Sequence, residues 1–335
     1  MGAESKLKTF LLYNAIYIVL GTIIVVLVAV NPALLSKTNI SYILSQASPR
    51  IILALAMGGL LVLGGTDLSA GSMVGMSGLI CASLLQAPNY TLRLFPDMPI
   101  LPVIIPLLLV VVLSSIITVG HSLLISKLKI APFIASLGVQ LIVYGLISLY
   151  NDFLNKMSPV SGLDVRYTNF AQGAFSIFGF RVAYIFVYAL ITSSIVWLIW
   201  NKTTLGKKMF AVGGNAEAAT VSGISVVRIY IWVYLIAGIL YGFSGFLEAA
   251  RTGSATNGMG AGYHLDAIAA CVVGGLSMRG GVGKVSGIIV GVFIFQMINY
   301  GLVFMGVNPF IQFVVKGIII IFAITIDTQK YIKKR

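Results

Sequence analysis

The sequence predicts an all-α bundle of membrane-spanning helices, a polytopic transmembrane fold, and three observations lead to it. Of 335 residues, 59% are hydrophobic and 9% charged, too few polar side chains to cover a soluble body, in which about 25% are charged. Apolar runs of the length that crosses a hydrocarbon core, about 20 residues at about 1.5 Å each, recur from one end to the other. Lysines and arginines gather in the connections between those runs. One membrane domain, residues 1–335, is the economical division.

The first run, 11–30, follows Lys6 and Lys8 as a secretory leader would. It exceeds the 7–15-residue apolar core of a leader and reads as an uncleaved first helix. Runs at 40–63, 68–86, 101–126, 132–150, 182–200, 229–249, 264–276, 285–305 and 309–327 complete ten expected spans. The eighth is short and flanked by glycines, the form of a broken or re-entrant helix sheltered by protein. Basic residues collect on the cytoplasmic side of a membrane. With the N-terminus inside, fourteen of the 22 Lys and Arg fall in inner connections and six in outer ones, while Arg50 and Lys316 lie within spans. Both termini are therefore expected in the cytoplasm, and the net charge of +13 reflects topology. No basic stripe interleaved with stacking aromatics speaks for nucleic acid.

Two connections exceed a simple turn. The outer segment 151–181, polar and rich in Gly and Ser, is either a docking surface for an external partner or a solvated loop. The inner segment 201–228 has the parts of a short surface helix. Asn215 suits the N-cap, Glu217 the positive first turn, Ala218 and Ala219 the interior and Gly223 the stop. It is either a contact for a soluble partner or an ordinary connection.

The stretch G-G-N-A-E-A-A-T-V-S-G-I, running from Gly213 and Gly214 through Ser222 and Gly223 to Ile224, resembles the cytoplasmic loop of ribose/galactose-type ABC sugar importer permeases. G-G-T-D-L-S-A-G from Gly64 resembles a second signature of that family. Similar stretches run from Leu265 to Ala270, at Gly274-Gly275 and from Gly280 to Gly283. The segments G-S-A-T-N from Gly253, I-N-Y-G-L from Ile298 and G-V-N-P-F from Gly306 bring the chain nearest the galactose/methyl-galactoside branch. The resemblance implies a type II-like importer permease in a bacterial cytoplasmic (inner) membrane. It implies a homodimer with a second permease copy, a cytoplasmic ATP-binding subunit coupled through 213–223, and a periplasmic or surface sugar-binding protein. Ribose or a nucleoside is the alternative cargo within the family.

The chain itself is not expected to be an enzyme. G-G-V-G-K-V imitates a nucleotide loop, but Met278 stands where an earlier glycine belongs and Val285 replaces the hydroxyl that would hold magnesium. Cys81 and Cys271 stand alone in apolar runs, with neither metal-ligand spacing nor a disulfide framework. His121 and His264 lack a G-x-S-x-G nucleophile elbow. Neither cofactor nor metal is expected. The rival class is an ion-gradient carrier, for which paired carboxylates inside spans are expected and few are present.

Charges within spans cost roughly 2.5–3.5 kcal/mol each on insertion scales and mark candidate functional groups. Asp67, in a Gly-rich break, either caps the following helix or lines the pathway. Glu248 and Arg251, three apart, are placed to pair on one helix face. Asp266, near His264, and Asn299 are further pathway or structural candidates. The 36 glycines are expected to serve close helix packing, notably Gly71, Gly75 and Gly78, and Gly283, Gly287 and Gly291.

Overall fold

The computed structural model describes residues 18–155, 158–177 and 179–332. Lys6, Lys8, the start of the first expected span and the Lys333-Lys334-Arg335 tail lie outside them. In chain order the described helices are α1 (Ile18–Val30), α2 (Lys37–Val62), α3 (Ala70–Leu84), α4 (Ile104–Ser126), α5 (Pro132–Asn155), α6 (Val165–Gln172), α7 (Tyr184–Lys202), α8 (Thr204–Gly214), α9 (Ala216–Val221), α10 (Val226–Thr252), α11 (Tyr263–Val273), α12 (Val285–Phe304) and α13 (Pro309–Ile332). A short antiparallel hairpin, β1 (Ala174–Ile177) and β2 (Phe180–Ala183), pairs Ala174 with Ala183 and Ile177 with Phe180 between α6 and α7.

Six of these helices are long and apolar enough to cross a membrane, and α1, α3, α11 and the apolar part of α13 are shorter. Together they are the ten expected apolar elements, the eighth being the short one, as its length and flanking glycines predict. Their outward faces are apolar: Leu141, Ile142, Leu146 and Leu149 on α5 and Phe310, Phe313 and Ile321 on α13 are all exposed, as lipid-facing positions are.

Helix α2 is the axis of the bundle. Ile51 to Val62 are buried on every side, and α2 packs against α7, α10, α11 and α12. Pro49 has no N–H to give to the Ser45 carbonyl one turn back, and the Ser244 hydroxyl of α10 ties the helix down at this point by donating to the Pro49 carbonyl at 2.8 Å.

Small residues bring the helices together. Gly238 and Gly242 of α10 lie against the backbone of Ser115 and Val111 on α4, Gly71 and Gly75 of α3 face the carbonyls of Gly260 and Met259, and Gly78 reaches Gly245 of α10. Gly287 and Gly291 of α12 press on Gly274 and Ala270, and Gly283 packs on Leu276. These contacts bear out the packing role expected of both glycine triplets.

The two ends of the bundle differ. At one, the α6–hairpin segment closes over the end of α10: Tyr167 donates to the Phe246 carbonyl at 2.7 Å and Gln172 to that of Ala250 at 3.1 Å. Helix α6 starts at Asp164, whose carboxylate accepts from the Arg166 amide at 2.8 Å and its guanidinium at 2.7 Å. That hydrogen bonding holds the Asp164 carboxyl below the usual carboxylate range. At the other end lie α8, the 64–69 break and the 274–284 turn, all close to the last turn of α2, and α9, which packs on α8 and α10.

Candidate functional site

Helix α9 forms where the sequence places it. The Asn215 side chain accepts from the Ala218 amide at 2.9 Å, and Glu217 sits in the first turn. Gly223, at φ +78°, ends the helix; the Ile224 amide returns to the Ala219 carbonyl at 2.9 Å and the Gly223 amide to that of Thr220 at 2.9 Å, the pairing of a left-handed C-terminal stop. Ser222 donates from its hydroxyl to the Ala218 carbonyl. Glu217, Ala218, Ser222 and Gly223 face outward, whereas Ala219 is buried against the rest of the chain. Val221 on the same helix is 91% exposed. An aliphatic side chain bared on a surface helix is the signal that residue-by-residue reading of the motif passes over.

The segment is fastened to the membrane bundle by close backbone contact. At Gly213, the end of α8, a β-carbon would overlap the carbonyl oxygen of Val62, the last residue of α2. The Gly281 amide donates to that same oxygen at 2.8 Å. A β-carbon at Gly281 would crowd Gly214, and one at Gly280 would meet the Gly213 carbonyl. Thus 213–214, 280–281 and the end of α2 form one glycine junction, and α9 leads within five residues into α10.

A second constellation lies inside the bundle. Asp266 of α11 accepts from Arg50 of α2 at 3.0 Å and from Lys316 of α13 at 3.1 Å. The Arg50 guanidinium stacks on the Tyr263 ring, 3.4 Å from its centroid. The Tyr263 hydroxyl donates to Glu248 at 2.8 Å, and Glu248 takes Arg251 in a bidentate pair at 2.9 and 3.0 Å. The expected Glu248–Arg251 pair is thus one end of a chain of charges joining α2, α10, α11 and α13. Asn299 of α12 lines a small void beside Arg50, Tyr263 and Asp266. Partners so far apart in sequence leave no local spacing by which to find them.

Asp67 is fully buried and separate from that chain of charges. One oxygen accepts from the Ser69 amide at 2.8 Å and from the Ser69 hydroxyl, which stiffens the turn into α3. The other lies 3.8 Å from Nδ1 of His121 on α4, whose ring meets the Tyr234 ring edge-on. The amide from which Asp67 accepts belongs to Ser69, the residue before α3, and the amides of α3 itself take no side-chain cap.

Similarity to known proteins covers the whole chain. Galactose/methyl galactoside import permeases of Escherichia coli K12 and Haemophilus influenzae are each 48% identical, with all of both chains covered. A ribose import permease of Bacillus subtilis is 35% identical over 92% of this chain and 90% of its own length. No solved structure matches. Residues 39–324 match the family described as branched-chain amino acid transport system / permease component; with the multi-pass bundle and its glycine-packed helices, this makes the chain a member of that permease family.

Proposed function

We propose that this chain is the membrane-spanning permease subunit of a binding-protein-dependent ABC importer for a monosaccharide, galactose or a methyl galactoside. The observation that carries the reading is 48% identity along the full length of permeases with that cargo in their names. The exposed helix α9, set on the glycine junction, supports the coupling role of 213–223.

In this reading two copies form a homodimer in the bacterial inner membrane with both termini cytoplasmic. An ATP-binding subunit seats on α9, and a sugar-loaded binding protein docks at the opposite end, over α6 and the hairpin. Motion of the ATP-binding subunit reaches the bundle by two routes, directly into α10 and through the Gly213–Val62 contact into α2. Hydrolysis stays on the partner, and the permease supplies the path through the lipid.

The test is reconstitution of the purified chain in liposomes. Galactose uptake that needs ATP, the ATP-binding subunit and the binding protein supports the proposal. Uptake by the chain alone, driven by a proton or sodium gradient, overturns it in favour of a carrier. The similarity to a ribose permease gives ribose a place in the same assay, and uptake of ribose in preference to galactose reassigns the cargo.

A further inference from the structure

Resting on the importer reading above, we propose that the permease carries its own transient monosaccharide subsite, in the cavity between the first turns of α2, the hairpin and the end of α10. The cavity measures about 500 Å³, within the ~300–1,000 Å³ range of small-molecule sites. Thr38, Ser41 and Ser45 of α2 line it together with Gln172, Arg181 and Arg251.

The three hydroxyls stand three and four residues apart, which puts them on one face of the helix, one above the other. The Ser41 hydroxyl gives its proton to the Lys37 carbonyl at 2.9 Å and keeps its lone pairs to accept, while the hydroxyls one turn before and after it can donate or accept, a mixture that matches the neighbouring hydroxyls of a polyol. Helix α2 becomes wholly apolar and buried only from Ile51 onward. The Tyr42 ring also lines the cavity and is exposed, an apolar body with a polar tip that suits the C–H face of a sugar.

The cations around this space already have partners. Arg251 is held bidentate by Glu248, Arg181 donates to the Gln172 carbonyl at 3.4 Å, and the Lys37 ammonium lies 5.3 Å from the centroid of the Phe180 ring. Of these contacts only that of Arg251 is with a carboxylate; all three cations present N–H donors to the oxygens of a sugar, and an acidic side chain of a docking protein is the rival occupant that the experiment separates.

Continuity with the interior gives the cavity a direction. Arg251 is both a wall of the cavity and the first member of the charge chain that runs through Glu248 and Tyr263 to Arg50, Asp266 and Lys316. Arg50 lies five residues beyond Ser45 on the same helix, about 7 Å further in. The subsite therefore sits directly outside a closed polar constriction, where a sugar released from a binding protein waits for the bundle to open.

The experiment uses the assembled transporter, permease with ATP-binding subunit and binding protein, in liposomes. Both native cysteines are buried, so Ser45→Cys introduces an accessible thiol for a small water-soluble maleimide. We expect millimolar galactose to slow labelling in the absence of binding protein by about threefold or more, the protection given by about two-thirds occupancy of the site, and labelling to block uptake. Ser45→Trp fills the cavity, and uptake at saturating binding protein is expected to fall about tenfold or more while capture of the binding protein persists.

Labelling indifferent to galactose, together with undiminished uptake by Ser45→Trp, overturns the subsite. So does a loss of uptake that excess binding protein restores, because the cavity then belongs to an acidic side chain of that partner. If the unmodified assembly shows no ATP-driven uptake, the importer reading falls and the subsite with it, an outcome distinct from any difference between variants.

Discussion

Gly213 abuts Val62 so closely that the glycine's missing β-carbon is the space the Val62 carbonyl oxygen occupies. The next residue, Gly214, faces open space. Gly213→Ala therefore forces α8 away from α2, and overpacking of this kind costs about 1–3 kcal/mol. Gly214→Ala meets nothing and trades a poor helix former for a good one, a gain of up to about 1 kcal/mol. Thermal unfolding of the two purified variants is expected to move in opposite directions, and equal midpoints would count against the junction.

Val221 and Ala219 occupy the same helix with opposite exposures. Replacing Val221 by Arg touches no intramolecular packing and is expected to leave stability within about 0.5 kcal/mol. Copurification with the ATP-binding subunit and coupling of hydrolysis to uptake should fall. Ala219→Leu overpacks the buried side of α9 and is expected to lower the unfolding midpoint first. A Val221→Arg variant that couples normally moves the partner contact elsewhere.

Asp266 shares its single negative charge between Arg50 and Lys316, and its loss removes the carboxylate from both. Removing one partner of a fully buried pair costs about 3–5 kcal/mol. Arg50 and Lys316 keep 22% and 25% of their side-chain surface exposed, so Asp266→Leu is expected to cost less, on the order of 2 kcal/mol. Adding Lys316→Leu should return part of the loss. A double-mutant cycle on thermal stability measures that return, and strict additivity refutes the shared carboxylate.

The Asp164–Arg166 pair sets an acid-side dependence at the α6 end. Its carboxyl is held below the usual range by the Arg166 hydrogen bonds, so the charged form is favoured on folding. The stabilisation is complete above the unfolded aspartate value of about 3.9 and is lost as pH falls through the lower folded value. Arg166 is largely exposed, which keeps the effect small. Unfolding midpoints of the native chain and Asp164→Asn are expected to converge below about pH 4 and to separate above it.

Periodicity made the ten apolar elements legible, because a run long enough to cross the membrane announces itself without tertiary context. The α9 caps were equally local: Asn215 and Gly223 act on residues within four positions of themselves. Glu248–Arg251 was readable for the same reason. The Arg50–Asp266 contact joins residues 216 positions apart, and nothing in either neighbourhood names the other. Helix α8 escaped notice because Gly206, Gly213 and Gly214 argue against a helix on propensity; Gly206 and Gly213 are there for close backbone approach instead. The segment 151–181 reads as loop by composition, yet it contains α6 and the hairpin, held by long-range bonds from Tyr167 and Gln172. Which side of α9 faces the protein was also hidden, since six residues carry too short a pattern to orient a helix.

Helix α3 has 15 residues, about 22 Å of rise, against a hydrocarbon core of about 30 Å. Twelve of those residues are buried by longer neighbours, so lipid tails meet the tall outer helices and never the short inner one. The shortness is local to α3, since α2, the axis beside it, has 26 residues. A thicker or thinner bilayer would therefore be met first by the exposed outer helices, and α3 would feel it only through them.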